Sequence, residues 1–314
     1  MAIQTSHVGS LPRSQKVVDY IFAREKGEDY NEIEFDQVMT EAVNDTVRRQ
    51  KKAGITIVSD GETSKISYAT YVKDRYHGFA GDSPRNAPAD LKKFPNYLQK
   101  LANDGGTPKY ARPMCVSKLE PKKNDDLIKD IDNLKKALKG NDIKKGFMNA
   151  ASPGVISLFL QNDYYPSRED YLEALSNLMQ SEYEMIVKSG LDLQIDCPDL
   201  ALSRHMLFND MSDDEFVKIA SINIASLNNA LRNIPKDKIR IHICWGNYEG
   251  PHVCDISISK MFETLMNVKT GHILFEAANP RHAHEWEVFE EKKNLIPDDL
   301  ILMPGVIDTT TNFV

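Results

Sequence analysis

The segment Ile239-Arg240-Ile241-His242-Ile243-Cys244-Trp245 places isoleucine at every second position and is typical of a β-strand. It is one of seven short strand-like runs, which occupy residues 7–10, 55–60, 146–151, 191–196, 239–245, 272–277 and 300–307. Amphipathic segments with helical spacing separate them, and such alternation produces a parallel sheet with helices outside it. The sequence therefore predicts an α/β fold. The spacing of the runs favours a (β/α)₈ TIM-type barrel over a doubly wound sheet.

Residues 78–145 interrupt this alternation. Prolines recur there, together with the Gly105-Gly106 pair and a helical segment rich in Lys and Asp. We interpret the stretch as an excursion inserted in a single catalytic barrel domain that spans residues 1–314. One run inside it, residues 110–117, could instead be a barrel strand, and periodicity does not decide between the two.

The end of the chain bears on the barrel as well. Only seven barrel strands are visible, and the sequence stops at Val314, an apolar residue shortly after the last of them. A barrel with seven strands would have two unpaired edges. We therefore expect a longer natural chain, in which a further segment of about 50–60 residues adds the eighth strand and a closing helix.

Charge and composition narrow the classes of function. The 314 residues carry 39 Lys+Arg against 46 Asp+Glu, for a net charge of -7, and lack a long basic run. Nucleic acids and anionic membranes are therefore not expected as partners. No apolar run approaches the ~18 residues of a membrane span, and the N-terminus lacks a signal-peptide pattern. We expect a cytoplasmic protein with small-molecule substrates, and the sequence is compatible with a homo-oligomer.

Polar residues cluster where the predicted strands end, at the face where barrel enzymes build their active sites. The cluster consists of Ser10, Asp60, Glu62, Asp196, Cys197, His242, Cys244, Glu276 and Asp308. A single Asp after a strand more often caps a helix. The prediction of an active site therefore rests on the coincidence of many such residues on one rim.

His242 and Cys244 are the most informative pair, because residues two apart on a strand point to the same side. Glu276, at the end of the next predicted strand, would add an oxygen to an imidazole nitrogen and a thiolate. This donor set suits Zn²⁺ and leaves one protein ligand to be identified, for which Cys254 is a weaker candidate. The alternative is that His242 and Cys244 only fill the barrel interior.

Six segments of the chain resemble, in order, signature segments of the catalytic domain of cobalamin-independent methionine synthases. They are His7-Val8-Gly9-Ser10-Leu11-Pro12-Arg13, Ser59-Asp60-Gly61-Glu62, Gln194-Ile195-Asp196, His242-Ile243-Cys244-Trp245, Leu274-Phe275-Glu276 and Pro304-Gly305-Val306-Ile307-Asp308. The resemblance covers nearly the whole chain and implies a (β/α)₈ barrel, a catalytic zinc, homocysteine as acceptor and 5-methyltetrahydropteroyl polyglutamate as methyl donor.

The resemblance also implies roles for individual residues. It makes His242, Cys244 and Glu276 zinc ligands. It makes Ser10, Glu62 and Asp196 the homocysteine-binding set, with the two carboxylates receiving the ammonium group of the amino acid.

Donor activation needs an acid, because the leaving amine of a methyl-folate must be protonated or neutralised. The candidates for this acid are Asp308, His252 and Glu249. The sequence does not rank them. His282 and His284 lie at an expected helix start, and we expect both to face solvent.

Three departures from the family pattern limit the transfer. The chain begins at the catalytic half, without the second barrel-like half of the full-length synthase. It has Asp196-Cys197-Pro198 where Asp-Glu-Pro is usual, and it stops before the later segment that carries the fourth zinc ligand, a Cys. Residues 245–252 are also similar to short single-barrel relatives, which include alkyltransferases acting on thiols such as coenzyme M.

Alternatives to methionine synthesis therefore remain. One is a zinc-dependent alkyltransferase for another thiol. A second is a metal-independent lyase resembling uroporphyrinogen decarboxylase, against which the proximity of His242 and Cys244 counts. A third is a non-catalytic ligand-binding relative, which a missing fourth ligand would favour.

Overall fold

The computed structural model describes residues 3–83, 87–103, 110–123, 125–247 and 250–308. Its α-helices are α1 (Gln15–Lys26), α2 (Glu32–Lys52), α3 (Val72–Arg75), α4 (Ala89–Lys93), α5 (Pro95–Asn103), α6 (Asp126–Gly140), α7 (Pro153–Phe159), α8 (Arg168–Lys188), α9 (Ser203–Met206), α10 (Asp213–Ala230), α11 (Ile258–Leu265) and α12 (Trp286–Glu291). Its strands are β1 (Tyr76–Ala80), β2 (Met114–Pro121), β3 (Phe147–Ala151), β4 (Asp192–Asp196), β5 (Ile239–His242), β6 (His272–Glu276) and β7 (Ile301–Gly305).

Five strands form a parallel sheet in the order β3-β4-β5-β6-β7. Neighbours in the sheet are also neighbours among the strands of the chain, and helices connect them, so the predicted α/β alternation is confirmed. The register pairs Asp196 with His242 and Glu276 with Gly305. All five strands therefore end at one rim, and it is there that the predicted site residues of β4, β5 and β6 lie.

The second predicted run, residues 55–60, and Thr5, just before the first run, extend this sheet, and neither of the first two runs forms a regular strand. The Ile57 N–H donates to the Thr5 carbonyl at 3.0 Å, and the Phe147 N–H donates to the Val58 carbonyl at 2.9 Å. A parallel bridge joins Val58 to Gly146. The second predicted run thus lies beside β3, and Thr5, just before the first run, lies beside the second, in the consecutive order of a (β/α) barrel wall.

A separate two-stranded sheet lies within the stretch of residues 76–121. Strand β1 pairs antiparallel with β2, with Tyr76 opposite Pro121 and Ala80 opposite Met114. The run at residues 110–117, which periodicity left open, therefore contributes to this hairpin-like pair and not to the parallel sheet.

The helices pack against the parallel sheet through their apolar faces. Helix α8 starts where Ser167 accepts the Asp170 N–H at 3.0 Å, and its buried face includes Leu175, Met179 and Tyr183. These side chains join a core that contains Ile195 and other residues of the inner strands. Within the described residues, no helix is both long and apolar enough to cross a membrane.

Candidate active site

The loop after residue 58 carries Glu62 in a strained conformation. Its φ is +54°, a left-handed value that costs a non-glycine residue about 1–3 kcal/mol. The Arg13 guanidinium stabilises this turn, since it donates to the Glu62 carbonyl at 2.6 Å and to the Lys65 carbonyl at 2.7 Å. The resulting orientation lets the Ser10 hydroxyl donate to the Glu62 carboxylate. The structure therefore brings two of the three predicted acceptor-binding residues into contact.

Asp196, the third member of that set, lies at the end of β4 and is linked to two neighbouring strands. Its Oδ1 is 2.9 Å from His242 Nδ1, and its Oδ2 accepts from Asn149 Nδ2 at 3.0 Å. Asp196 therefore contacts His242 on the predicted zinc side and reaches toward Ser10 and Glu62 through Asn149, whose amide also donates to the Val8 carbonyl at 3.1 Å.

Two groups on this rim have strongly displaced pKa values. Burial, and then the nearby Asp196 carboxylate, raises the pKa of Glu62 to about 7. Burial, and then the Glu276 carboxylate, raises the pKa of the Cys244 thiol to about 12. Both shifts arise because the rim holds several acidic groups in a poorly solvated position. An arriving positive charge would stabilise the ionised form of each group.

The predicted zinc ligands occupy adjacent strand ends. His242 and Cys244 are half-buried, while Ile241 and Ile243 are buried, as alternation along an extended segment requires. Glu276 ends β6, and its Oε1 accepts the Trp245 N–H at 3.2 Å. This bond holds the carboxylate beside the backbone that follows Cys244.

A different group of side chains is packed more closely. Among the described residues, Asp90, His205, His252 and Asp255 form a group whose potential ligand atoms all lie within 4.8 Å of one another. The predicted zinc ligands do not belong to it. We call these four residues the His–Asp cluster.

The structure corrects the expectation for His282, which was predicted to face solvent and is only 5% exposed. Its ring stacks on Trp245 with 4.1 Å between centroids, and its Nε2 is 3.0 Å from Asp255 Oδ2. Asp255 lies 27 residues away from it in sequence, and Trp245 lies farther still. Local helical periodicity therefore gave no sign of the contact.

The three candidate acids have different surroundings. The His252 side chain is 1% exposed, and its Nδ1 lies 2.9 Å from Asp255 Oδ2. Asp308 is half-buried and follows β7 by three residues. Glu249 lies outside the described residues.

Sequence reasoning missed two further residues at the rim. Lys65 is buried, donates from Nζ to the Asn149 carbonyl at 2.5 Å and lowers the pKa that Glu62 would otherwise have. Asn149 links Val8 to Asp196, because its side-chain amide donates to both. The signal for Asn149 was a polar residue within the otherwise apolar run of β3, whereas nothing in its local sequence distinguishes Lys65 from a surface lysine.

Comparisons with known proteins find methionine synthases among the relatives of the chain. The chain is 23% identical over 262 residues to the methionine synthase of Saccharolobus solfataricus, covering 82% of this chain and 68% of that protein. It is 26% identical over 279 residues to the methionine synthase of Thermococcus kodakarensis, covering 88% and 69%. No protein-family model matches the chain.

A solved structure supports the assignment of the fold. The structure of a B12-independent methionine synthase from Shewanella sp. W3-18-1 in complex with selenomethionine superposes with a TM-score of 0.68. Sequence identity is 20%, and the match covers 99% of this chain and 82% of that one. The overall architecture is therefore shared.

Proposed function

Because the chain is a relative of the cobalamin-independent methionine synthases, we propose that it is an enzyme that transfers a methyl group to the thiol of homocysteine. The donor in this proposal is a 5-methyltetrahydropteroyl polyglutamate, and Zn²⁺ is the cofactor. The observation that carries the proposal is the proximity, on one rim, of the proposed amino-acid-binding set to a set of metal-binding residue types that includes a cysteine. Ser10, Glu62 and Asp196 form the first set, and His242 with Cys244 belongs to the second.

Recognition of homocysteine follows from the surplus of hydrogen-bond acceptors on this rim. Besides the Glu62 and Asp196 carboxylates, the buried side-chain oxygens of Asn149 and Gln194 accept no hydrogen bond from the described residues. An ammonium group offers three N–H donors and a positive charge, which match this deficit. The sulfonate of coenzyme M would instead meet carboxylates, so the rim disfavours it.

The types of residue present support a zinc ion at this rim. The contact between His242 Nδ1 and Asp196 would leave Nε2 as the ligand atom, and a carboxylate behind the ring is the usual support of a metal-binding histidine. Cys244 adds sulfur and Glu276 adds oxygen, so the donors suit zinc. When bound, zinc would supply the positive charge that keeps the acceptor sulfur in the nucleophilic thiolate form.

The protein's own groups position the reactants. Ser10 and Glu62 would fix the amino-acid end of the acceptor, so that its sulfur reaches the side of His242 and Cys244 in attack geometry. For the proton that the leaving amine requires, we propose Asp308 over His252. Asp308 follows the strand β7 at the rim, whereas His252 is buried against Asp255 in the His–Asp cluster.

The proposal is tested with Cys244→Ser, and Cys115→Ala is the matched control, because Cys115 is a buried cysteine of β2. The readouts are zinc content and transfer of labelled methyl from methyl-folate to homocysteine. Since loss of an outer-shell partner already costs about 10- to 100-fold, loss of the ligand should lower the rate at least ~100-fold. The control should keep both zinc and activity.

Two results would contradict the proposal. One is full methyl transfer by Cys244→Ser. The other is tighter binding of coenzyme M than of homocysteine to the wild-type zinc form, which would favour the alkyltransferase alternative.

A further inference from the structure

The His–Asp cluster connects three parts of the chain that are distant in sequence. Asp90 lies in α4, His205 in α9, and His252 and Asp255 follow β5 in the segment after Cys244. Asp90 and the side chain of His205 are buried to 1% exposure or less. The four side chains therefore face one another in a site from which bulk water is largely excluded.

Hydrogen bonding within the cluster leaves one carboxylate oxygen short of donors. Asp90 Oδ1 accepts the N–H groups of Val253 and Cys254 at 2.7 and 2.8 Å. Asp90 Oδ2 and Asp255 Oδ1 both approach His205 Nδ1, at 2.9 and 3.1 Å. One ring nitrogen carries at most one proton, and Asp90 Oδ2 is not aligned to accept it from any described residue.

The cluster also brings two carboxylates together in a buried position. Asp90 is 0% exposed and the side chain of Asp255 is 8% exposed. Outside the cluster, His282 adds a third imidazole, with Nε2 3.0 Å from Asp255 Oδ2 and Nδ1 3.0 Å from Glu285 Oε2. Two carboxylates held this close together favour a divalent cation between them, because unpaired buried charge is costly.

We propose that Asp90, His205, His252 and Asp255 bind a divalent transition metal at a second site, separate from His242, Cys244 and Glu276. Two imidazole nitrogens and two carboxylate oxygens from three segments match the four-coordinate sites that zinc occupies. Binding would use the unprotonated nitrogen of each imidazole and would give Asp90 Oδ2 a partner. The ion would join α4, within residues 78–145, to the segment that follows Cys244.

The test uses Cys244→Ser as background, because this change removes a ligand of the proposed catalytic zinc and leaves the cluster intact. Protein is purified without chelators, and Zn²⁺ per chain is measured by mass spectrometry. We expect two ions in wild type, one in Cys244→Ser and none in Cys244→Ser/His252→Ala. Cys244→Ser/His284→Ala is the matched control and should keep one ion, since His284 is exposed.

Titration with Co²⁺ identifies the ligands that hold the remaining ion. In Cys244→Ser the bound Co²⁺ should show d–d absorption without a thiolate charge-transfer band, because the cluster has no sulfur ligand. Asp90→Asn is the second variant. Asparagine keeps a side-chain oxygen that can accept from the Val253 and Cys254 N–H groups, so the circular dichroism spectrum should stay unchanged. It removes the negative charge of the ligand, so this variant should lose the ion.

Several outcomes would overturn the second site. They are no ion in Cys244→Ser, a retained ion after His252→Ala, or a thiolate band that assigns the ion to Cys254. One ion in wild type that survives Cys244→Ser and is lost with His252→Ala would support the cluster site and contradict the proposed catalytic zinc. The two proposals therefore fail separately.

Discussion

Glu62 and Glu182 are both buried glutamates, 2% and 1% exposed, yet their pKa values move in opposite directions. Burial acts against the charge of Glu182, but the Arg75 guanidinium at 2.8 Å and the Tyr71 hydroxyl at 2.6 Å hold its pKa below the ordinary value. Glu62 faces Asp196, and its pKa rises to about 7. Glu182 has a cation of its own inside the fold and is compensated there, whereas a buried carboxylate with too little positive charge is suited to bind a cationic ligand.

The largest effect is expected from removing Arg75, the cation that pairs with the buried carboxylate of Glu182. Arg75 also pairs with Asp130 at 2.7 Å, so Arg75→Met would leave two buried carboxylates without their partner. The free energy of unfolding should fall by about 3–5 kcal/mol. Urea unfolding measures this loss.

Lys129→Met is the control for that change, because Lys129 pairs with Asp36 on an exposed surface. Exposed pairs contribute about 0–1 kcal/mol, so this variant should be nearly neutral. If Arg75→Met and Lys129→Met lowered the free energy of unfolding by the same amount, the buried pairs of Arg75 would matter no more than the exposed pair of Lys129, and the interpretation of Glu182 would be wrong.

A smaller effect is expected in the pH dependence of methionine binding. Methionine serves as the ligand because it has no free thiol that would titrate in the same range. Below about pH 7 the free protein carries a proton on Glu62, which an ammonium group must displace. The affinity for methionine should therefore fall up to about tenfold per pH unit between pH ~7 and ~5.5. Calorimetric titration at several pH values measures it.

Glu62→Gln sharpens the same comparison, since glutamine keeps the shape and removes the titration. We expect affinity about 10- to 100-fold weaker at neutral pH and nearly independent of pH. Glu173→Gln, at an exposed position, should leave the wild-type profile unchanged. A profile of unchanged slope in Glu62→Gln would assign the titration to another group.

The smallest effect concerns the turn that orients Glu62. Gly61 has a φ of +66°, and an added Cβ would lie 3.0 Å from Thr46 Cγ2 and 3.1 Å from Leu11 Cβ. Gly61→Ala should destabilise the protein by about 1–2 kcal/mol and weaken methionine binding as Glu62 shifts. Gly27→Ala is the control, because Gly27 has a φ of +67° and open space around it. If Gly61→Ala and Gly27→Ala lose the same stability and the same affinity for methionine, crowding around Gly61 has no effect on either.

The sequence predicted the order and position of β3 to β7 because each of these runs is short, largely apolar and separated from the next by a helical segment. The rim followed from their parallel order. The run at residues 110–117 stayed ambiguous because antiparallel and parallel strands share a period of two. Ser10 and Glu62 were predicted to act together and are in contact. The roles of the proposed ligands and acids remain predictions.

The His–Asp cluster could not be predicted, because its members come from three loops and short helices whose meeting depends on tertiary packing. His205 lies in a helix of four residues, too short for a periodic signal. The Asn149 carbonyl that accepts from Lys65, and the Trp245 and Asp255 side chains around His282, are likewise distant in sequence. Their burial follows from contacts that no local pattern encodes.

Residues 7–10, which follow Thr5, are held at the rim in a different way. Among the described residues, the Val8 carbonyl accepts from the side-chain amides of Asn149 at 3.1 Å and Gln194 at 2.5 Å, and not from a backbone N–H. Local opening of residues 7–10 then requires loss of side-chain contacts at the rim and no unfolding of the parallel sheet. Amide hydrogen exchange in this segment should therefore report on the occupancy of the amino-acid-binding set, because a ligand held by Ser10 and Glu62 would oppose that opening.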